Sequence, residues 1–266
     1  MSIPVRVGKN FSRSSRSYTA AGAFQRSAAR HLYGLLEREL ANPDRVRKVL
    51  ELGCGTGFLT IGLLRLFPDA QFVVSDISES MLTLCMDVTR PAAACHGTPA
   101  YFECYNIAEA NIEKNYDLII SSLAFQWLPD LEAVLHNARE HLLPEGKLVF
   151  STLLDGTFVM LHRVFAELGL PYPGPPMITE SELRAQCAVF PRVRLATYTY
   201  VEEHASVLDF LRQIQRTGAG NGGLVRTSVA DMRRVLARYR ELAGDGPIEV
   251  EYFLAEVICD EDENHV

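Results

Sequence analysis

The fold turns on Val49-Leu50-Glu51-Leu52-Gly53-Cys54-Gly55-Thr56-Gly57-Phe58-Leu59-Thr60. An apolar strand end runs into three alternating glycines, and a helical pattern follows at once. Glycines in that number let a backbone turn tightly and approach a ligand closely. A helix N-terminus beside clustered glycines ordinarily suits a phosphate, but Glu51 repels a phosphate and attracts a cation. The spacing agrees. A dinucleotide turn needs G-x-G-x-x-G, whereas here the glycines fall at 53, 55 and 57, and Phe58 follows. The expected ligand is a small, positively charged group.

A second acid sharpens this. Asp76 ends the next strand pattern, Gln71-Phe72-Val73-Val74-Ser75-Asp76, about 20 residues after the glycine turn, where a carboxylate can take both hydroxyls of a ribose. S-adenosylmethionine carries an ammonium, a sulfonium and a ribose, and it suits both acids. From Val46 to about Ser151 strand and helix patterns alternate five times, which argues for an α/β chain with a parallel sheet and right-handed crossovers. Strands are expected at 46–52, 71–76, 100–105, 116–121 and 147–153, and helices at 57–67, 79–88 and 130–142, the second capped by Ser78. Residues 10–40 are helical, with Leu32, Leu35, Leu36 and Leu40 on one face.

Beyond Leu153 the rhythm changes. Residues 156–168 read as helix, and Leu170-Pro171-Tyr172-Pro173-Gly174-Pro175-Pro176 then breaks regular structure. Thr179 and Glu182 supply a capping box that restarts a helix. A strand at 192–203, helices near 205–216 and 228–242, and a last strand at 248–258 follow.

Composition excludes several classes. In 266 residues the charged fraction is 22% and the hydrophobic fraction 48%, ordinary for a globular chain. No apolar run has the length of a membrane span, and no signal-peptide core opens the chain. The formal net charge of −7 argues against nucleic-acid binding. Six cysteines form no C-x-x-C pair, so reduced thiols and a cytoplasmic location are expected. With neither H-E-x-x-H nor a carboxylate cluster, no metal site is expected.

The motif E-L-G-C-G-T-G, Asp76 with Ile77 behind it, and Tyr116-Asp117-Leu118-Ile119-Ile120-Ser121 resemble class I S-adenosylmethionine-dependent methyltransferases. So does Leu142-Leu143-Pro144-Glu145-Gly146-Lys147-Leu148, like the turn before that fold's fifth strand. A narrower likeness comes from Ser121-Ser122-Leu123-Ala124-Phe125-Gln126-Trp127, Ser151-Thr152-Leu153-Leu154-Asp155-Gly156-Thr157 and Thr217-Gly218-Ala219. Together these resemble the malonyl-acyl-carrier-protein O-methyltransferases of biotin synthesis. The resemblance implies a Rossmann-like seven-stranded sheet, mostly parallel with an antiparallel last strand. The expected organisation is an N-terminal helical arm or lid (1–42), a methyltransferase domain (43–260) with a cap inserted after strand 5 at about 169–190, and an acidic tail (261–266) whose run of like charges predicts disorder. The expected activity is methyl esterification of the free carboxyl of a malonyl thioester by a monomer, with acyl carrier protein as partner. Methylation of a small free acid such as aconitate, or a non-catalytic cofactor-binding subunit, are the alternatives.

Site residues follow by position. Glu51, Gly53, Cys54, Gly55, Gly57, Asp76, Ile77, Met81, Ser122 and Leu123 are candidates for the cofactor, with Asn106 and Ile107 at the adenine. Asn106 stands where the family more often has Asp, and Ser122 where it usually has Asn. Tyr18, Gln126 and Trp127 are the candidates beside the transferable methyl group. A carboxylate nucleophile is ionised at neutral pH, its pKa being about 4, so no catalytic base is required. Arg13, Arg16, Arg212 and Arg216 could meet that carboxylate, and the late-helix Arg234 and Arg238, four apart on one face, could receive an acidic carrier.

Overall fold

The computed structural model describes residues 3–40, 42–107, 115–219, 227–244 and 246–260. The expected acidic tail at 261–266 lies outside them. Strands β1 (Lys48–Leu52), β2 (Gln71–Asp76), β3 (Ala100–Cys104), β4 (Tyr116–Ser122), β5 (Leu142–Leu153), β6 (Arg192–His204) and β7 (Ile248–Asp260) form one sheet in the order β3-β2-β1-β4-β5-β7-β6. β1 to β5 run parallel, and β7 is antiparallel to both β5 and β6. The strand order therefore reverses between β1 and β4, and such a switch point opens a crevice at the C-terminal strand ends.

Alternation along β1 shows how both faces are buried. Leu50 and Leu52 enter a core shared with α5 (Leu131–Glu140) and α7 (Glu180–Cys187), through Val134, Leu135, Leu183 and Cys187. Val49 enters the opposite core, with α2 (Ala23–Glu39), α3 (Thr60–Leu66) and α4 (Glu79–His96). Glu51 shares the face of Val49, because strand side chains alternate. A third core gathers α6 (Val159–Glu167), α8 (Val207–Arg216) and α9 (Val229–Ala243) around the β7 residues Val250, Tyr252 and Leu254.

The expected elements are present, with shifts that have local causes. The helix expected at 79–88 runs on through Pro91 to His96, where Gly97 at φ 65° closes it and the Thr98 N–H donates to the Ala93 carbonyl. β5 begins at Leu142 rather than 147, through a turn with Glu145 at φ 65°. The helix expected from 57 starts at Thr60, since Gly55 and Gly57 take positive φ. The 169–190 segment divides in two. Its capped half, with Leu183, Cys187 and Phe190, is core beneath the sheet, whereas Tyr172, Pro173 and Pro175 border a cavity.

The N-terminal helix α1 (Ile3–Ala21) breaks from α2 at Gly22 and crosses the open end of the sheet. It is fastened at two places. Ser12 Oγ pairs with Ser78 Oγ at 2.8 Å on one side, while Ser14 and Ser17 donate to the carbonyls of Gln215 and Arg216 on the other. Gly218, at φ 78°, fits beneath it, because a Cβ there would lie 3.0 Å from the Phe11 ring.

Candidate functional site

The glycine turn is shaped from both sides. Asp76 accepts the Gly55 N–H on Oδ2 at 2.9 Å and the Ser78 N–H on Oδ1 at 2.8 Å, so the second acid holds the turn that follows the first. Gly53, at φ 78°, could carry no side chain: a Cβ would sit 2.5 Å from that of Ala124. Beside Gly55 the Tyr18 hydroxyl would lie 3.7 Å from an added Cβ. Gly57 has a different reason to be glycine. It borders none of the cavities at this site, and an added Cβ would press on Cys85 and Val88 of α4 at 3.1 Å, so it serves helix packing rather than ligand contact.

Three cavities meet here. The first, about 80 Å³, is bordered by Gly53, Gly55, Asp76, Ile77, Met81, Asn106, Ile107 and Ser122. A small one, about 30 Å³, lies at Glu51, Cys54 and Thr56, on the α2 side of the sheet. The third is a chamber of about 360 Å³ among α6, α8, α9 and the Pro-rich segment. Tyr18 and Leu123 border all three, and Phe11 and Trp127 stand between the first and the chamber. Phe11 meets Tyr18 and Trp127 edge-on, with ring centroids 6.2 and 5.7 Å apart. These aromatic rings make the partition. Leu123 takes φ 54° at the end of β4, and Gln126 Nε2 steadies it by donating to its carbonyl at 2.7 Å. That bond engages one end of the Gln126 amide and leaves Oε1 buried without a partner beside the chamber.

The electrostatics mark what is to be bound. Burial pushes the Glu51 carboxyl up to about 8, against a hydrogen bond from Thr60, and Oε2 is buried with no partner. Burial also raises Asp76, to about 6, while the N–H groups of Ser78, Gly55 and Ile77 oppose the shift. An unpaired buried carboxylate is costly unless a cation joins it. Tyr18 is pushed further up by burial, then by Asp76 and Cys54, so it stays a phenol and a donor. These features fit S-adenosylmethionine: an acid awaiting an ammonium, a cradle that a Cβ would fill, and Ile77 and Ile107 bordering a cavity beside Asn106.

The arginines scatter. Arg212 borders the chamber and pairs with Asp209 at 3.6 Å. Arg216 ends α8 and Arg13 is exposed on α1, while the side chain of Arg16 lies outside the described residues. Arg234 and Arg238 are already engaged, the first by Asp231 and the second by Glu167 and Glu241, so the late helix offers less free charge than its sequence implies. Phe11, Gln25 and Leu128 border the site although no motif marked them. Phe11 and Gln25 had no signal short of the helix break at Gly22, which folds α1 back across the sheet end.

The fold and site define a class I S-adenosylmethionine-dependent methyltransferase, and a family model described as a methyltransferase domain matches residues 50–148. Among solved structures the fold is similar to the YcgJ protein of Bacillus subtilis, with TM-score 0.59 and 12% identity over 88% of this chain and all of that one. A malonyl-[acyl-carrier protein] O-methyltransferase of Bacillus cytotoxicus is 35% identical over 80% of this chain and 75% of its own length. A bifunctional biotin-biosynthesis protein of Bordetella avium is 34% identical over 88% of this chain and 48% of its own length. The chain belongs to the malonyl-[acyl-carrier protein] O-methyltransferase family.

Proposed function

We propose that this enzyme methyl-esterifies the free carboxyl of a malonyl thioester, borne on acyl carrier protein or coenzyme A, and so opens pimeloyl synthesis for biotin in the cytoplasm. The observation that carries the reading is the chamber. At about 360 Å³ it is far larger than a malonyl group fills, and it is bordered by Phe24, Phe158, Leu161, Phe165, Tyr172 and Met232. A thioester with its long arm can use that length. A small, highly charged free acid such as aconitate would leave most of the wall bare. The curated relative's name supports the same acceptor.

When bound, S-adenosylmethionine supplies a methyl group that already carries its leaving group, so esterification of a carboxylate needs no proton removed. The chain's own task is alignment and the exclusion of water, which together can lower a barrier by several kcal/mol. Tyr18, Phe11 and Trp127 close the junction against solvent, and the Tyr18 phenol donates to one carboxylate oxygen while the other is left to react. Gln126 fixes the Leu123 turn that shapes this passage. In this reading α1 is the lid and the Pro-rich part of the insertion is the cap, with Arg13, Arg212 and Arg216 toward the incoming carrier.

Incubation with methyl-labelled S-adenosylmethionine and a panel of acceptors tests the proposal. Label should enter malonyl-acyl carrier protein or malonyl-coenzyme A as a base-labile ester. Transfer to free aconitate alone would refute the thioester reading.

A further inference from the structure

Around the 30 Å³ cavity, three buried oxygens have no hydrogen-bond partner: Glu51 Oε2, Thr56 Oγ1 and Gln25 Oε1. They come from the sheet, the glycine turn and the first turn of α2, elements far apart in sequence. The cavity admits one group about the size of a water molecule. A water could accept from the Thr56 hydroxyl and donate to the other two oxygens, but it brings no charge to Glu51. A primary ammonium has three N–H donors and a positive charge.

Gln25 has no evident structural duty here. As the third residue of α2 it stands where a capping-box side chain reaches back to the N-cap amide. That amide belongs to Gly22 and is already spent on the Tyr18 carbonyl, at 2.7 Å. The missing side chain at Gly22 also makes room for the amide, since a Cβ there would lie 3.3 Å from Gln25 Oε1.

We infer that Gln25 is a cofactor-binding residue whose carboxamide oxygen accepts an N–H from the methionyl ammonium of S-adenosylmethionine, beside Glu51 and Thr56. The ammonium thereby joins α2 to the end of β1. The cofactor's amino-acid end is gripped between the arm and the sheet, not by the glycine turn alone. This inference is independent of which acyl group is methylated.

Titration calorimetry of wild type and Gln25→Ala with three ligands tests it. S-adenosylhomocysteine carries the ammonium and the carboxylate, decarboxylated S-adenosylmethionine only the ammonium, and 5′-methylthioadenosine neither. The substitution should weaken the first two about tenfold or more, the size of one hydrogen bond to a charged group. The third should change by less than about twofold and thereby report an intact pocket. Equal losses on all three would make Gln25 structural and overturn the inference. So would unchanged affinity for the first two. A loss confined to S-adenosylhomocysteine would overturn it as well, by moving Gln25 to the carboxylate.

Discussion

The cofactor side and the acyl side of this site are built on opposite principles. Around β1 and β2 the space is small, and its chemistry lies in single atoms: a buried acid at 51, an acid at 76 holding a backbone turn, and glycines where a Cβ would collide. Across the rings of Tyr18, Phe11 and Trp127 the space is several times larger and its wall is mainly hydrocarbon. The first side recognises a fixed ligand by charge and backbone shape. The second offers volume and dryness, which suit a variable, flexible thioester. What differs between them is also what substitutions should separate.

The largest effect is expected at Glu51. Glu51→Gln should weaken S-adenosylhomocysteine about 100-fold or more, because the ammonium then enters a buried site without its counter-charge. The same change should stabilise the cofactor-free protein. The unfolded carboxyl titrates near 4.5 and the folded one near 8, so stability held by the neutral form is complete below about pH 4.5 and lost as pH rises toward 8. Thermal melts of the two proteins should therefore differ most at pH 8 and least near pH 5. A wild-type protein as stable as Glu51→Gln at pH 8 would mean that the acid is not held uncharged.

Next comes pH. A cation binds the ionised form of Glu51, and that form grows as pH rises to about 8. Affinity for S-adenosylhomocysteine should accordingly strengthen between about pH 6 and pH 8, by up to about tenfold per unit, and flatten above. A proton should be released on binding, visible as a dependence of the calorimetric heat on the buffer. A flat profile would detach Glu51 from the ligand.

Tyr18→Phe should act on the other side of the partition. Turnover of the acyl acceptor should fall about tenfold, the size of one hydrogen bond to a charged group, with S-adenosylhomocysteine affinity held within about twofold. The smallest effects belong to the arginines. Arg212→Glu should lower turnover of malonyl-acyl carrier protein a few-fold at low salt and less at high salt. Arg238→Glu should instead show its effect in thermal stability, since Arg238 is bound to Glu167 and Glu241. Equal salt-sensitive losses from both substitutions would place the carrier on α9 after all.

The two sides were also unequally legible in the sequence. Glu51, the glycines and Asp76 are readable because their meaning is local: a strand end, a turn and the next strand end. The chamber is not, since Phe24, Leu161, Met232 and Tyr252 reach it from four separate elements. Gln25 reads as an ordinary helix residue until the break at Gly22 turns its helix toward the sheet. Arg238 reads as a free basic face, yet its partner Glu167 lies 71 positions away. The helix expected at 79–88 continues through Pro91 to its glycine stop at Gly97, with Ala92 and Ala93 packed on the core.

Whether the two sides act separately can be measured with one variant. Met232→Trp puts an indole into the chamber wall, on α9 and away from the glycine turn. Calorimetry with S-adenosylhomocysteine and kinetics with a malonyl thioester should then be run on the same preparation. The account predicts cofactor affinity within about twofold of wild type and kcat/KM for the thioester reduced at least about tenfold, as overfilling a packed wall would cause. A matching loss of cofactor affinity, or a thioester reaction left untouched, would contradict it.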